Sequence, residues 1–284
     1  MSIKKISLTH IMKQIGIALR PKHPKGEETL QALTQWLKTQ DKTVILLRRG
    51  DKKPPPALDL LIVLGGDGTF LSAARRVSGR DIPILGVNLG SLGFLTEVTL
   101  DELYSNLDRI FKDGFQEDRR QTLTSFVSRG EKEYPQVTVL NDVTIHKGAL
   151  SKLLQVEITI DGQFVTAIRA DGLIISSATG STAYSLSSGG PIVHPAVDAM
   201  VLTPISPHML TNRPLVVRSD ATVRVALKSA EEGPVALFDG QEVFPLQTHD
   251  VVQVTAAENR LRMILSPNRS YYQVLRQKLK WGEF

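Results

Sequence analysis

The chain has 284 residues, 42% hydrophobic and 22% charged, with a formal net charge of +5 and no cysteine. This composition indicates a globular protein of one large or two ordinary domains, and it excludes disulfides, thiolate metal sites and cysteine nucleophiles. Basic residues occur as short pairs (Arg48-Arg49, Lys52-Lys53, Arg75-Arg76, Arg119-Arg120) rather than in a dense stripe, and no apolar run approaches the roughly 20 residues of a membrane span. We therefore expect a cytoplasmic protein that binds neither nucleic acid nor membrane, although the pairs suit a phosphorylated small ligand.

The first 115 residues alternate between short apolar runs and amphipathic stretches. Leu30, Leu33 and Leu37 recur at helical spacing behind an acidic first turn. The patterns predict strands at 15–19, 43–47, 58–64 and 82–88, and helices at 26–40, 69–79 and 101–114. Such alternation is typical of a parallel sheet covered by helices.

After about residue 120 the helical period is replaced by short strand patterns. Residues 152–168 predict a hairpin that turns at Asp161-Gly162, and 214–227, 234–246 and 250–265 predict further strands. Residues 270–284 return to helical spacing. We predict an α/β N-terminal domain with a parallel sheet and helices at 1–120, and a mostly-β C-terminal domain built as a layered sandwich at 121–267. A C-terminal segment follows at 268–284.

A glycine-rich segment, Gly65-Gly66-Asp67-Gly68-Thr69, lies between a buried strand pattern and a helix. Glycines there let backbone N–H groups approach a phosphate, whereas an aspartate repels it. Asp67 is useful if it holds Mg²⁺ between phosphates or accepts the proton of an attacking hydroxyl, and phosphoryl transfer uses both. We predict that Asp67 faces the acceptor hydroxyl while Gly65, Gly66, Gly68 and Thr69 form the phosphate loop. The structural alternative is a tight turn with Asp67 as a helix cap.

The segment NLGSLGFLTE (88–97) has the same design after the next strand. Turns with positive φ are permitted there by Asn88, Gly90 and Gly93. Phe94 and Leu95 are candidates for an apolar slot against a planar base, or they simply pack the loop.

Two short polar segments follow in the second half. Asn141-Asp142 ends a strand-like run and offers an amide and a carboxylate to adjacent hydroxyls or to an adenine edge, although taken by itself a plain turn explains it better. The other is FDGQ, at residues 238–241.

The segment RADGLIISSATGSTAYSLSSGGP (169–191) is dense in hydroxyl groups. Ser181 is predicted to cap a helix. Thr182, Tyr184 and Ser187 are candidates for hydrogen bonds to a nucleoside, and Tyr184 for stacking on a base. A capped helix with its loops is the structural alternative.

Several common sites are excluded by their motifs. No Lys-Ser/Thr follows the glycines as a Walker loop requires, and the first strand is followed by RPKHPKG, which argues against dehydrogenase-type nicotinamide binding. The H-R-D and D-F-G motifs of protein kinases are missing, the six histidines show no H-E-x-x-H spacing, and TGSTAYS does not match the G-x-S-x-G elbow of serine hydrolases.

Taken together, GGDGT, the Asn-acid pair, DGLIISSATGSTAYSLSSGGP and DGQ resemble the NAD kinase family, in its order and at compatible spacing over residues 60–284. The resemblance implies ATP-dependent phosphorylation of the 2′-hydroxyl of the adenosine ribose of NAD, with Mg²⁺ or another divalent cation accompanying ATP and no dedicated protein metal site. It also implies an α/β domain followed by a β-rich domain, a C-terminal segment that packs back on the first, and NAD bound between domains and across the subunits of a dimer or tetramer.

The resemblance assigns residues position by position. Asp67 matches the catalytic base, beside Gly68 at the NAD, and Asn141 and Asp142 match the pair that holds the adenosine ribose, where many members have Glu in place of Asp142. The remaining NAD-binding candidates are Phe94, Lys152, Arg169, Asp171, Thr182, Ala183, Tyr184, Ser185, Leu186, Ser187, Ser206 and Gln241.

Two alternative functions differ in class. A lipid or sugar kinase shares the GGDGT form but would phosphorylate another hydroxyl, and the TGSTAYSLS segment argues against it. A catalytically silent dinucleotide sensor would have no need for Asp67.

Overall fold

The computed structural model describes residues 4–6, 12–20, 23–48, 55–148, 152–209, 211–229 and 233–282. Of the basic pairs, Arg49 and Lys52-Lys53 lie outside these ranges. The chain forms two compact units: unit 1 comprises Met1–Arg119 with Leu261–Phe284, and unit 2 comprises Arg120–Arg260. The chain thus returns to unit 1 at Leu261, earlier than the expected boundary after residue 267.

The first part of unit 1 alternates strands and helices, as the periodicity predicts. Its elements are β1 (Lys4–Ile6), β2 (Gln14–Leu19), α1 (Pro24–Thr39), β3 (Thr43–Leu47), β4 (Leu60–Leu64), α2 (Asp67–Arg76), β5 (Pro83–Asn88), β6 (Val98–Thr99), a 3₁₀ turn (Leu100–Glu102), α3 (Leu103–Asp113) and β7 (Phe115–Arg120). Helix α3 ends at Gly114, whose φ of +86° breaks the helical path.

Unit 2 consists almost entirely of strands. They are β8 (Leu123–Arg129), β9 (Lys132–Glu133), β10 (Val137–Val139), β11 (Asp142–His146), β12 (Leu154–Ile160), β13 (Gln163–Ala170), β14 (Gly172–Ser177), β15 (Ala199–Ile205), β16 (Leu215–Arg218), β17 (Val223–Ser229), β18 (Val235–Phe238), β19 (Glu242–Pro245) and β20 (Val251–Ala256). Between β14 and β15 lie a 3₁₀ turn (Thr179–Thr182) and the short helix α4 (Tyr184–Ser187). The predicted hairpin is confirmed as β12–β13, with Asp161 and Gly162 at positive φ in its turn.

The chain then returns to unit 1 as β21 (Leu261–Ile264) and α5 (Tyr271–Leu279). The sheet of unit 1 has the order β1-β7-β21-β5-β4-β2-β3, with β6 beside β5. Strands β21, β5, β4, β2 and β3 run parallel. We expected residues 261–264 in the β-rich domain, and the structure instead inserts them into the parallel sheet.

The core of unit 1 lies between this sheet and its helices. Strand β4 is buried at every position, as a strand covered on both faces requires. Leu33 and Leu37 of α1, and Leu103 and Leu107 of α3, are fully buried in the same cluster. The helical spacing of the leucines therefore marks the faces that pack on the sheet.

An ion-pair network anchors the returning strand. Arg262 donates through Nε to Oε2 of the fully buried Glu117 (2.6 Å) and through Nη1 to Asp81 Oδ2 (3.2 Å). Arg119 Nε pairs with the other oxygen of Glu117 at 2.9 Å. The network thus joins β21 to its neighbour β7 and to the segment before β5.

Unit 2 is a sandwich of two antiparallel sheets, ordered β10-β8-β20-β17-β12-β13, with β9 beside β8, and β16-β15-β14-β11-β18-β19. Its core takes alternate residues of both sheets, such as Val156 and Val225 from one and Ile145 and Ile175 from the other. The predicted fold class, an α/β domain with a parallel sheet plus a mostly-β sandwich, is confirmed.

Candidate functional site

Asp67 is the first residue of α2, directly beyond the carboxyl end of β4. Open α/β sheets bind ligands at this edge, where a helix N-terminus also presents N–H groups. A Cβ on Gly65 would lie 2.5 Å from Thr69 Oγ1, so the turn requires glycine. Added Cβ atoms on Gly66 and Gly68 would meet nothing within 4 Å, which leaves this side of the turn open.

The carboxylate of Asp67 is held by the loop that follows β5. Oδ2 accepts the N–H of Phe94 (2.9 Å), and Oδ1 accepts the N–H of Leu95 (3.0 Å) and the hydroxyl of Thr96 (3.1 Å). Thr96 in turn is hydrogen-bonded by Asn88 Nδ2 at 2.9 Å. The two glycine-bearing segments of unit 1 therefore form one site around Asp67.

The role expected of the glycines in 88–97 is wrong. Asn88 ends a strand, and Gly90 and Gly93 do not adopt positive φ. Gly93 is needed for space instead, because a Cβ there would lie 2.1 Å from Asp67 Oδ1. The backbone N–H of Phe94 donates to Asp67, and the Phe94 side chain is half-buried.

In unit 2, Asn141 and Asp142 lie at the start of β11, opposite the β18–β19 turn. Asp239, at φ +50° in that turn, accepts the N–H groups of Leu140 (3.2 Å), Asn141 (2.7 Å) and Asp142 (3.3 Å). Sequence reasoning singled out the FDGQ segment for Gln241 and missed Asp239. The sequence signal for Asp239 is its place before Gly240, because an Asp-Gly pair is typical of a turn and Asp tolerates the left-handed backbone conformation.

Asp142 is a buried carboxyl. Burial, and next the nearby Asp239 carboxylate, raises the pKa of Asp142 to about 7, although the Thr144 hydroxyl donates to Asp142 Oδ1 at 3.2 Å and opposes the rise. Its charge state therefore changes near neutral pH.

The hydroxyl-rich segment folds against Asn141. Ser177 donates its N–H to the Asn141 carbonyl (2.8 Å), and a Cβ on Gly180 would lie 2.1 Å from the same oxygen. Tyr184 is 41% exposed, and Ser187 is exposed nearby in the chain, so both are available to a ligand. Thr182, Ala183 and Leu186 are half-buried.

Two serines of this segment have structural roles. The predicted helix cap at Ser181 is wrong, because its hydroxyl donates to the Ala178 carbonyl (2.7 Å) and accepts the N–H of Val193 (3.0 Å). Helix α4 begins at Tyr184, and its N-cap residue Ala183 makes no side-chain cap. Ser185 is fully buried, and its hydroxyl bonds that of Thr203 at 2.8 Å.

The other candidates of unit 2 lie elsewhere in the sandwich. Asp171 pairs with Lys147 Nζ (2.8 Å) at the end of β11 and β14 opposite to Asn141, since His146 is in register with Gly172 and Asp142 with Ser176. Exposed Lys152 and Arg169, from the adjoining ends of β12 and β13, and Ser206 after β15 belong to this end. Four residue steps at about 3.3 Å each separate the two ends by about 13 Å. The two groups therefore lie at opposite ends of β11 and β14, and exposed Gln241 belongs to the Asn141 end with Asp239.

In the ranges that the structure describes, no three His, Asp or Glu side chains cluster as ligands for a metal ion. Among the same residues, no helix has the length and apolar character needed to cross a membrane.

Two family models match the chain: the ATP-NAD kinase N-terminal domain at residues 47–115 and the ATP-NAD kinase C-terminal domain at residues 140–266. An NAD kinase of Geobacter sulfurreducens is 45% identical over 283 residues and one of Syntrophotalea carbinolica 44% identical over 284, each alignment covering 96% of this chain and 100% of the relative.

Two solved structures of kinases share the fold of this chain. The yeast NADH kinase complexed with NADH has a TM-score of 0.87 at 25% identity, covering 97% of this chain and 90% of that one. An NAD kinase from Archaeoglobus fulgidus in complex with ATP shares the fold, with a TM-score of 0.77 at 23% identity, over 94% of this chain and 98% of that one. Since the two family models together match more than half of the chain, and relatives are 44–45% identical over nearly its full length, the chain belongs to the NAD kinase family.

Proposed function

We propose that Asp67 is the general base of the reaction of this family. The chain is an ATP-dependent NAD kinase, which transfers the γ-phosphoryl group of ATP to the 2′-hydroxyl of the adenosine ribose of NAD. In the proposed step the 2′-oxygen bonds to the γ-phosphorus as its proton passes to Asp67. The bond from phosphorus to the β–γ bridging oxygen breaks, and its electron pair leaves with ADP.

The observation that carries this role is the hydrogen bonding of Asp67. Oδ1 already accepts two donors, whereas Oδ2 accepts one among the described residues. A carboxylate oxygen has two lone pairs, so Oδ2 keeps one for the substrate proton. The open space beside Gly66 and Gly68 supports a phosphate loop made of Gly65, Gly66, Gly68 and Thr69.

For NAD, we propose that Asn141 and Asp142 hold the adenosine ribose, with Phe94, Gln241 and residues 182–187 around the adenosine and nicotinamide portions. The exposure of Tyr184 and Ser187 supports this assignment. Buried Ser185 has a positioning role, since its hydroxyl is taken by Thr203.

We propose a dimer or tetramer, in which Lys152, Arg169, Asp171 and Ser206 contact NAD held by a neighbouring copy. Their distance from the Asn141 end supports this, as does the apolar exposure of the outer strand β13, where Phe164 is 64% and Val165 41% exposed. Exposed edge strands of this kind favour pairing with another chain. Sedimentation velocity of Phe164→Lys beside the wild type tests the assembly.

We propose that Mg²⁺ or another divalent cation arrives bound to ATP, and the groups bonded to Asp67 are two backbone N–H groups and a hydroxyl, all of them donors. Bound to the phosphates, such a cation neutralises charge on the transferred group. We propose the cytoplasm as the location, where both substrates are available.

The test is the formation of NADP from NAD and Mg-ATP, read by an NADP-specific dehydrogenase. General-base assistance contributes about 10² to 10⁴ in rate, so Asp67→Asn should lower kcat by about that factor with NAD affinity largely retained. Loss of NAD affinity instead would make Asp67 a binding residue. Tight NAD binding without any NADP from the wild type would indicate a dinucleotide sensor.

A further inference from the structure

We propose that Asn88 and Thr96 form a relay that fixes which oxygen of Asp67 accepts the substrate proton. Both side chains are buried, Asn88 at 6% exposure and Thr96 at 0%, although both are polar. Burial of such groups is costly unless their hydrogen bonds are satisfied, and here both side chains have partners, which fixes their orientation. The proposal rests on the proposed role of Asp67 as the base.

The direction of the relay follows from Asn88. Its Oδ1 accepts the N–H of Gly90 at 2.6 Å, so the amide is oriented with Nδ2 toward Thr96 Oγ1, at 2.9 Å. Since the Asn88 amide can only donate through Nδ2, the Thr96 oxygen is the acceptor of that bond.

The single proton of the Thr96 hydroxyl is then directed at Asp67. A hydroxyl has one O–H to donate, and the Oδ1 atom of Asp67 lies 3.1 Å away. Asn88 therefore donates to Thr96, and Thr96 donates to Asp67. If residue 88 accepted a hydrogen bond from Thr96 instead, the Thr96 hydroxyl would point away from Asp67.

The consequence for Asp67 is an unequal pair of oxygens. Oδ1 receives the Thr96 hydroxyl and the Leu95 N–H, which occupy both of its lone pairs, whereas Oδ2 receives one donor among the described residues, the Phe94 N–H. Without the Thr96 hydroxyl, Oδ1 also has an open lone pair, and the carboxylate is less firmly oriented. Thr96 is thus a positioning residue whose effect is expected on kcat rather than on substrate affinity.

The experiment compares Thr96→Val, which keeps the shape but removes the donor, with Thr96→Ser, which restores the hydroxyl. Thr96→Val removes a hydrogen bond to a charged group, so we expect kcat to fall by about 10- to 100-fold. KM for NAD and for ATP should stay within about twofold of the wild-type values. Thr96→Ser should recover most of kcat. Thr99→Val is the matched control, because the Thr99 hydroxyl bonds Glu102 and not Asp67; it should keep the wild-type kcat.

A second variant keeps Thr96 in place. In Asn88→Asp the carboxylate still accepts the Gly90 N–H but cannot donate to Thr96, whose proton then turns toward residue 88. We expect kcat to fall at least as far as in Thr96→Val, and the double variant to be no slower than Asn88→Asp alone, since both changes break the same relay. Circular dichroism melts verify that each variant is folded.

Three results would overturn the relay: Thr96→Val with the wild-type kcat, a Thr96→Ser variant as slow as Thr96→Val, or fully additive losses in the double variant. Failure of the base assignment has a separate signature, which is wild-type turnover by Asp67→Asn. An inactive Asp67→Asn together with a fully active Thr96→Val would leave the base standing and remove only the relay.

Discussion

The raised pKa of Asp142 makes the stability of unit 2 depend on pH in a predictable direction. Burial and the Asp239 carboxylate raise this pKa from 3.8 to about 7, so the native protein retains the proton over a range where the unfolded chain has lost it. Ionisation is then a cost to the folded state, and stability decreases as pH rises from about 4 through 7. Asp142→Asn removes the ionisation while its carbonyl oxygen still accepts the Thr144 hydroxyl.

The magnitude follows from the shift. At about 1.4 kcal/mol per pH unit, a rise from 3.8 to about 7 corresponds to about 4 kcal/mol for full ionisation. Because water and side chains relax around a buried charge, we expect Asp142→Asn to gain about 2 to 4 kcal/mol over the wild type at pH 8 and close to nothing at pH 4.

The assay is urea unfolding followed by far-ultraviolet circular dichroism at pH 4, 6 and 8. Tryptophan fluorescence is unsuitable here, since Trp36 and Trp281 both belong to unit 1. Asp220→Asn, at a carboxyl 70% exposed in unit 2, is the control and should show no such trend. A gain for Asp142→Asn that is the same at pH 4 and pH 8, or a loss at pH 8, would refute the reasoning.

Two further predictions concern unit 1. Burial opposes the ionisation of Glu102, but hydrogen bonds from Arg269, Thr99 and Asn268 outweigh burial and lower the pKa of Glu102 to about 2. The stability that the ionised Glu102 contributes is therefore present above pH 4.5 and is lost as pH falls toward 2. Glu102→Gln should therefore destabilise unit 1 by about 1 to 2 kcal/mol at pH 7, in urea unfolding followed by tryptophan fluorescence, and by much less at pH 3. Gly93→Ala places a methyl group 2.1 Å from Asp67 Oδ1 and should lower kcat at least about tenfold. Ser91→Ala, in the exposed part of the same loop, should not, and equal rates for the two variants would contradict the close packing around Asp67.

Local patterns predicted most elements of this protein but not their partners. The apolar run 58–64 and the leucines of α1 have periods that burial imposes, so their structure follows from spacing. Residues 261–264 also have a strand pattern, but the pattern is the same in either sheet. Their place beside β5 depends on contacts such as Arg262 to Asp81, 181 residues away in sequence.

In the candidate site, too, the local features follow from the sequence and the contacts between distant segments do not. The position of Asp67 between a strand and a helix was visible in the order of residues around the glycines. The use of Gly93, the orientation of Thr96 and the Asp239 contacts with residues 140–142 arise from segments that meet only after folding. Sequence alone therefore attributes Gly93 to backbone conformation, whereas the folded protein needs it for the space that Asp67 occupies.

The return of the chain to unit 1 has a consequence for biosynthesis. Strand β21 lies between β7 and β5, yet it is made after the whole of unit 2. On the ribosome, the first 119 residues therefore have an unfilled gap in their sheet while the sandwich, which is continuous in sequence, has all of its strands. Unit 2 can therefore complete its sheets before unit 1, although unit 1 is synthesised first. Bringing β21 back across the whole of unit 2 is a long loop closure, which prolongs the time during which the edges of β5 and β7 are exposed to aggregation.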